Sequence, residues 1–256
     1  MICLAFLKKE GMELVRTGRL PVLLMIFTLF GILNPALAKL TPWLYDTLAE
    51  SMASQGLILT DISVDALTSW NQFYKNISLA VIVFSVMIAA PLAEEYKKQT
   101  LIPLMARGLT LPTAACAKAA AAVITWTLCY WLCFLITWLY NLWFWGNKDI
   151  SHTLAAAAFI WLFGLWVTTL LFLGSVLFRS VSGALLMAAA GALAGWILTL
   201  FAKTAAWSPM QLLSAGTLLN LRTLPEDYKK AALVALMTGL AAFGSALLAS
   251  RKQNAL

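Results

Sequence analysis

Six apolar runs, each near the length of a membrane-crossing helix and free of acids, arginine and histidine, constrain this chain more than any other feature in it. They lie at about 20–40, 76–93, 119–144, 154–178, 183–202 and 231–250, and Lys39 sits at the edge of the first. A helix needs about 20 apolar residues to cross roughly 30 Å of hydrocarbon. Inside lipid a lone segment satisfies its backbone groups only as a helix. The expected fold class is therefore an all-α membrane protein with six transmembrane helices. Composition agrees, with 62% hydrophobic and 11% charged residues, where a soluble domain carries roughly a quarter charged. In 256 residues six spans leave no room for a soluble catalytic domain, so the chain is not expected to be an enzyme. Its basic start looks like a signal peptide, but the apolar run is too long for one and lacks a small-residue cleavage pattern, so it is read as a span.

The segments between the runs have their own patterns within a single transmembrane domain, 1–256. Residues 1–19 alternate apolar and basic positions, with Leu4, Leu7, Met12 and Val15 near helical spacing. That pattern predicts an interfacial amphipathic helix with its basic side chains toward headgroups, the alternative being a solvated basic leader. Asn34-Pro35 predicts a kink in the first span, because proline removes an intrahelical hydrogen bond. In the segment 41–75, Leu44, Leu48 and Met52 recur every four residues, as in a short helix resting on the membrane. Ser63 with Asp65 reads as the cap of a second short helix, and Trp70 to Tyr74 as an aromatic belt. Trp138, Tyr140, Trp143 and Trp145 form another belt at the end of the third span. The segment 203–230 holds Trp207, Pro209 and Pro225.

Six spans place both termini on one side, and cations choose the side. The segments sharing the termini's side carry eleven cations against four acids, and the opposite segments seven of each. Positive charge collects in cytoplasmic loops, so both termini and the loop 94–118 are expected in the cytoplasm, in a multi-pass protein of the cell's inner membrane.

Absences narrow the function. Ionisable groups inside spans are the usual machinery of proton and ion coupling, and these spans lack them, which disfavours a gradient-driven transporter; sodium coupling through backbone carbonyls remains open. The same absence argues against an intramembrane hydrolase. No metal site is expected, since His152 is the single histidine and falls in a turn. No phosphate loop of the Gly-x-x-x-x-Gly-Lys-Ser/Thr type occurs, so an ATP-driven protein of this kind needs its ATPase on another chain. Cys3, Cys116, Cys129 and Cys133 read as small apolar thiols and not as a disulfide framework. No nucleic-acid partner is expected.

The loop 94–118 is the most distinctive polar stretch. It crowds Glu94, Glu95, Lys97, Lys98, Arg107 and Lys118 between two apolar runs. Leu101, Leu104 and Met105 add a ridge at i, i+3, i+4 spacing, interrupted by Pro103. Such a loop suits docking into a groove on a soluble partner; spacing alone allows equally a solvated turn between spans.

These residues resemble the membrane permease subunits of type-2 ABC exporters. In that family a basic amphipathic amino-terminal helix precedes six spans. The inner loop after the second span carries a glutamate, charged residues, Gly-Thr-Leu, a small turn and then a lysine. Here Glu94 and Glu95, then Thr100-Leu101, then Lys118 fall in that order, and Gln72-Phe73-Tyr74-Lys75-Asn76 and Leu33-Asn34-Pro35 look like the bacterial branch. Gln99 stands where the family has glycine, and Pro112 near where it often has arginine. The resemblance implies a half-transporter working as a homodimer or a heterodimer with a related permease. It also implies two separate ATP-binding subunits docked on a coupling helix in the loop. ATP and Mg would bind those partners, leaving this chain without a cofactor. Glu94, Glu95 and Arg107 would hold the docked loop by paired charges, with Leu101 and Leu104 in the partner's groove and Thr100 beside them.

Trp126, Tyr130 and Trp131 are candidates for lining an apolar pathway, with lipid contact or packing as the other reading. Such a pathway would suit a lipophilic or amphipathic cargo such as a peptide, drug or lipid. Gly191-x-x-x-Gly195 and, in the sixth span, Gly239 supply the small residues that let helices approach closely, within one subunit or across a dimer seam. Two other functions remain: an ATP-independent channel or carrier, and a non-transporting membrane scaffold or immunity protein.

Overall fold

Segments that must satisfy their backbone without water fold as helices, and every element among the described residues is helical. A computed structural model of the chain describes residues 2–53, 65–98, 110–146, 151–220 and 223–253. The order is α1 (Ile2–Arg16), α2 (Arg19–Ala53), α3 (Ala66–Lys98), α4 (Leu111–Phe144), α5 (Thr153–Phe178), α6 (Val181–Thr199) and the single turn α7 (Ala202–Ala205). A long 3₁₀ helix (Pro209–Asn220), a short one (Pro225–Tyr228) and α8 (Lys229–Gln253) complete it. Helices α2, α3, α4, α5, α6 and α8 contain stretches long and apolar enough to cross a membrane. The chain is a multi-pass membrane protein.

Three helices are longer than the apolar runs inside them. Helix α2 continues through Pro35 and Pro42 to Ala53, so the stretch expected as a separate helix near Leu44 prolongs the first span. Pro35 cannot donate to the carbonyl of Gly31, four residues back. The Thr137 hydroxyl of α4 donates to that carbonyl at 3.1 Å. Ser63 lies outside the described residues; α3 is instead capped by Asp65, whose Oδ1 accepts from the Thr68 amide at 2.9 Å. No break separates a short helix from the second span. Helix α4 starts at Leu111 with Pro112 in its first turn, where a missing N–H costs nothing.

Helix α5 is the most deeply buried span and packs on α6, α8, α3, α4 and the long 3₁₀ helix, while α2 lies against α3 and α4. Outward rows such as Leu79, Ile82 and Val86 or Leu233, Leu236 and Leu240 are exposed, as lipid-facing surfaces are. Inside, Trp126 stacks on Tyr130 with ring centroids 5.4 Å apart and meets Phe27 and Phe84 edge-on.

The bundle has two different ends. One gathers α1, the close of α3 and the start of α4. At the other, the long 3₁₀ helix packs beside the start of α3, and Gly216 lies against Tyr74. Of its five buried residues, Pro209, Leu212, Ala215 and Leu218 recur every third position, with Leu219 beside the last. A 3₁₀ helix has three residues per turn, so these four form one row facing the bundle.

Candidate functional site

The loop 94–118 leaves α3 and returns through α4, and what can be described is its root. Phe6, Glu10 and Leu14 are buried one turn apart on α1. Phe6 packs on Ala114 and Ala117 of α4, whose small side chains allow α1 to come close. The next residue in α4, Lys118, then reaches back. Its ammonium donates to Glu10 Oε2 at 3.1 Å and to the carbonyl of Pro91 in α3 at 2.9 Å. The two side chains are 2% and 5% exposed. Lys9 closes the arrangement from outside, meeting Glu10 Oε1 at 3.1 Å and Glu13 at 2.9 Å.

Two opposite charges taken out of water hold position only where geometry and further hydrogen bonds satisfy both. Lys118 obtains that from a carboxylate on α1 and a carbonyl on α3. One ammonium therefore ties three helices together, and its anchor points on α3 and α4 flank the loop. Chemically the arrangement is a joint: it offers no nucleophile and no open coordination site. No cluster of histidine, cysteine and acid fit to hold a metal occurs among the described residues.

The site residues expected from sequence are distributed as follows. Glu94 and Glu95 fall in the helical backbone of α3; Thr100, Leu101, Leu104 and Arg107 lie outside the described residues. Trp126 and Tyr130 have no exposed surface. The Trp126 indole donates to the carbonyl of Trp161 at 3.0 Å, and the Tyr130 hydroxyl to that of Ala157 at 2.8 Å. These carbonyls sit one turn apart on α5, so the two aromatics stitch α4 to α5. A Cβ at Gly164 would collide with the Trp126 ring. Trp131 is half-buried and edge-on to Tyr130 and Phe134. Gly191 faces Leu170 of α5, Gly195 faces Met210 of the long 3₁₀ helix, and Gly239 lies 3.4 Å, measured from an ideal Cβ, from Thr169. All three pack within this chain.

From sequence Glu10 reads only as a charge, and Lys118 as the lysine that closes the loop in the exporter resemblance, with no partner assigned to either. A signal was present: Glu10 occupies the row of Phe6 and Leu14, the face a helix buries, and Lys118 stands in a run of alanines. The Asn34–Asn76 amide pair, at 2.8 Å between α2 and α3, was missed for the same reason, since each partner alone reads as a helix-end residue.

Comparison with protein-family models, curated proteins and solved structures finds no match.

Proposed function

We propose that this chain is the transmembrane subunit of an ATP-driven exporter of the type-2 ABC kind. Separate ATPase subunits, which bind ATP and Mg, dock on the cytoplasmic loop 94–118. The observation that carries the reading is the buried Glu10–Lys118–Pro91 joint. A push on the loop arrives at a place where α1, α3 and α4 are tied by one ammonium, and so moves three helices together instead of bending one. The spans' lack of acids, arginine and histidine supports the same reading, because it leaves the bundle without groups for proton coupling.

On this reading the termini and α1 lie on the cytoplasmic side, with the lysines and arginines of α1 near headgroups. Two copies, or this chain and a related permease, enclose the pathway between them. Trp126 and Tyr130 spend their polar atoms inside one subunit, so the pathway runs along surfaces a single chain leaves exposed, which are apolar and suit a lipophilic or amphipathic cargo.

The test is co-purification from native membranes. The wild-type chain is expected to bring down an ATP-binding cassette subunit, and Glu94→Lys with Glu95→Lys to lose it while the permease stays in the membrane. Unchanged capture and transport in the double variant would remove the docking claim. Flux by the chain alone in liposomes would replace it with a channel or carrier.

A further inference from the structure

At the end opposite α1, a cavity of about 310 Å³ opens between the first turns of α3 and the long 3₁₀ helix. Its polar lining is Asn71 and Lys75 from α3 and Ser214, Thr217 and Asn220 from the 3₁₀ helix. Among the described residues no carboxylate lines it, and the charge they bring to it is the Lys75 ammonium. Among the described residues neither Asn71 nor Lys75 has a hydrogen-bond or ion-pair partner, and the buried Oδ1 of Asn220 accepts from nothing. The hydroxyls behind them are already committed. The Tyr228 hydroxyl donates to the Ser214 carbonyl at 2.9 Å and lies 2.8 Å from Thr217 Oγ1, which lies 2.9 Å from that of Thr223. A fixed wall of bonded hydroxyls thus stands behind the exposed Lys75, the half-buried Asn71 and one buried, unsatisfied amide oxygen of Asn220, which share one cavity.

Depth identifies the occupant. The apolar run of α3, 76–93, has 18 residues, about 27 Å at 1.5 Å per residue, against roughly 30 Å of hydrocarbon. Asn71 and Lys75 lie just before it and so stand in the headgroup layer. An ammonium there attracts a phosphate, and an orphaned amide oxygen requires a donor.

We propose that this cavity binds the phosphodiester headgroup of a phospholipid whose headgroup carries its own hydrogen-bond donor, ethanolamine or glycerol. Lys75 meets the phosphate, and the amides of Asn71 and Asn220 meet the donor end.

The test is native mass spectrometry of the full chain with phosphatidylethanolamine, phosphatidylglycerol and phosphatidylcholine of matched acyl chains, alongside soluble glycerophosphoethanolamine. One ethanolamine or glycerol lipid per chain is expected to be retained about tenfold more than the choline lipid, which has no donor. Asn220→Leu should abolish that preference, Lys75→Glu should lower retention of all three lipids, and Lys203→Glu, exposed at the same end but outside the cavity, should change neither. Equal retention of the choline lipid, an unchanged preference in Asn220→Leu, or unchanged retention in Lys75→Glu overturns the proposal. Capture of the soluble headgroup with no lipid retained overturns the assignment to the membrane.

Discussion

The two ends of this bundle are held by different chemistry. At the α1 end the closing contact is a charge pair shielded from water, joining residues 108 positions apart. Among the described residues the buried contacts at the opposite end are neutral: hydroxyls on carbonyls, a row of every-third apolar residues, and Tyr228 stacked on Phe159 with ring centroids 5.3 Å apart. A buried ion pair adds little net stability over an apolar substitute, yet losing one partner is costly because the other charge stays behind. It specifies one arrangement of three helices and punishes others. A network of neutral hydrogen bonds loses less per partner and rigidifies as a whole. The α1 end is therefore built as a register-setting joint and the opposite end as a cap.

The largest effect is expected at the joint. Glu10→Ala should cost about 3–5 kcal/mol by removing the carboxylate paired with the buried Lys118 ammonium, read as a lowered unfolding midpoint in detergent. Pairing Glu10→Leu with Lys118→Leu should recover most of that loss; if the double variant is as unstable as the single one, the pair does more than set register. Next comes the seam between the ends. Gly164→Ala forces a Cβ into the Trp126 ring and should cost roughly 1–3 kcal/mol by overpacking, with a changed tryptophan emission.

The cap should respond less. Tyr228→Phe removes the hydroxyl shared by Ser214 and Thr217 and should cost about 1–2 kcal/mol; a loss as large as that of Glu10→Ala would erase the contrast between the ends. Thr137→Val strips the donor from the Gly31 carbonyl freed by Pro35, at about 0.5–1 kcal/mol, in keeping with hydrogen bonds between spans. The smallest effect belongs to Lys229→Ala. Its pair with Glu226, at 2.8 Å, is exposed on both sides, and surface pairs of this kind contribute little. The unfolding midpoint should not move, and a clear shift would show that burial is not what separates the two ion pairs.

Hydropathy made the six spans legible because burial in lipid is a local property, decided over about 20 residues at a time. The helix ends were not legible in the same way. Gln72 to Asn76 and the stretch from Leu111 to Lys118 look like loop because they are polar or proline-containing. They are helical because α3 and α4 outrun the hydrocarbon, and the headgroup layer tolerates polar side chains on a continuing helix. The long 3₁₀ helix was equally hidden, although the spacing of Pro209, Leu212, Ala215 and Leu218 carries its period of three.

By itself the amino-acid sequence determined that this chain lives in a membrane, how many times it can cross, and that its spans hold no acid, arginine or histidine. Only the tertiary structure decided that Glu10 answers Lys118, that Thr137 answers the carbonyl Pro35 set free, and that Asn71, Lys75 and Asn220 share a cavity. Hydrophobicity acts on each segment alone, whereas a hydrogen bond or ion pair between helices exists only once packing has brought distant residues within about 3 Å.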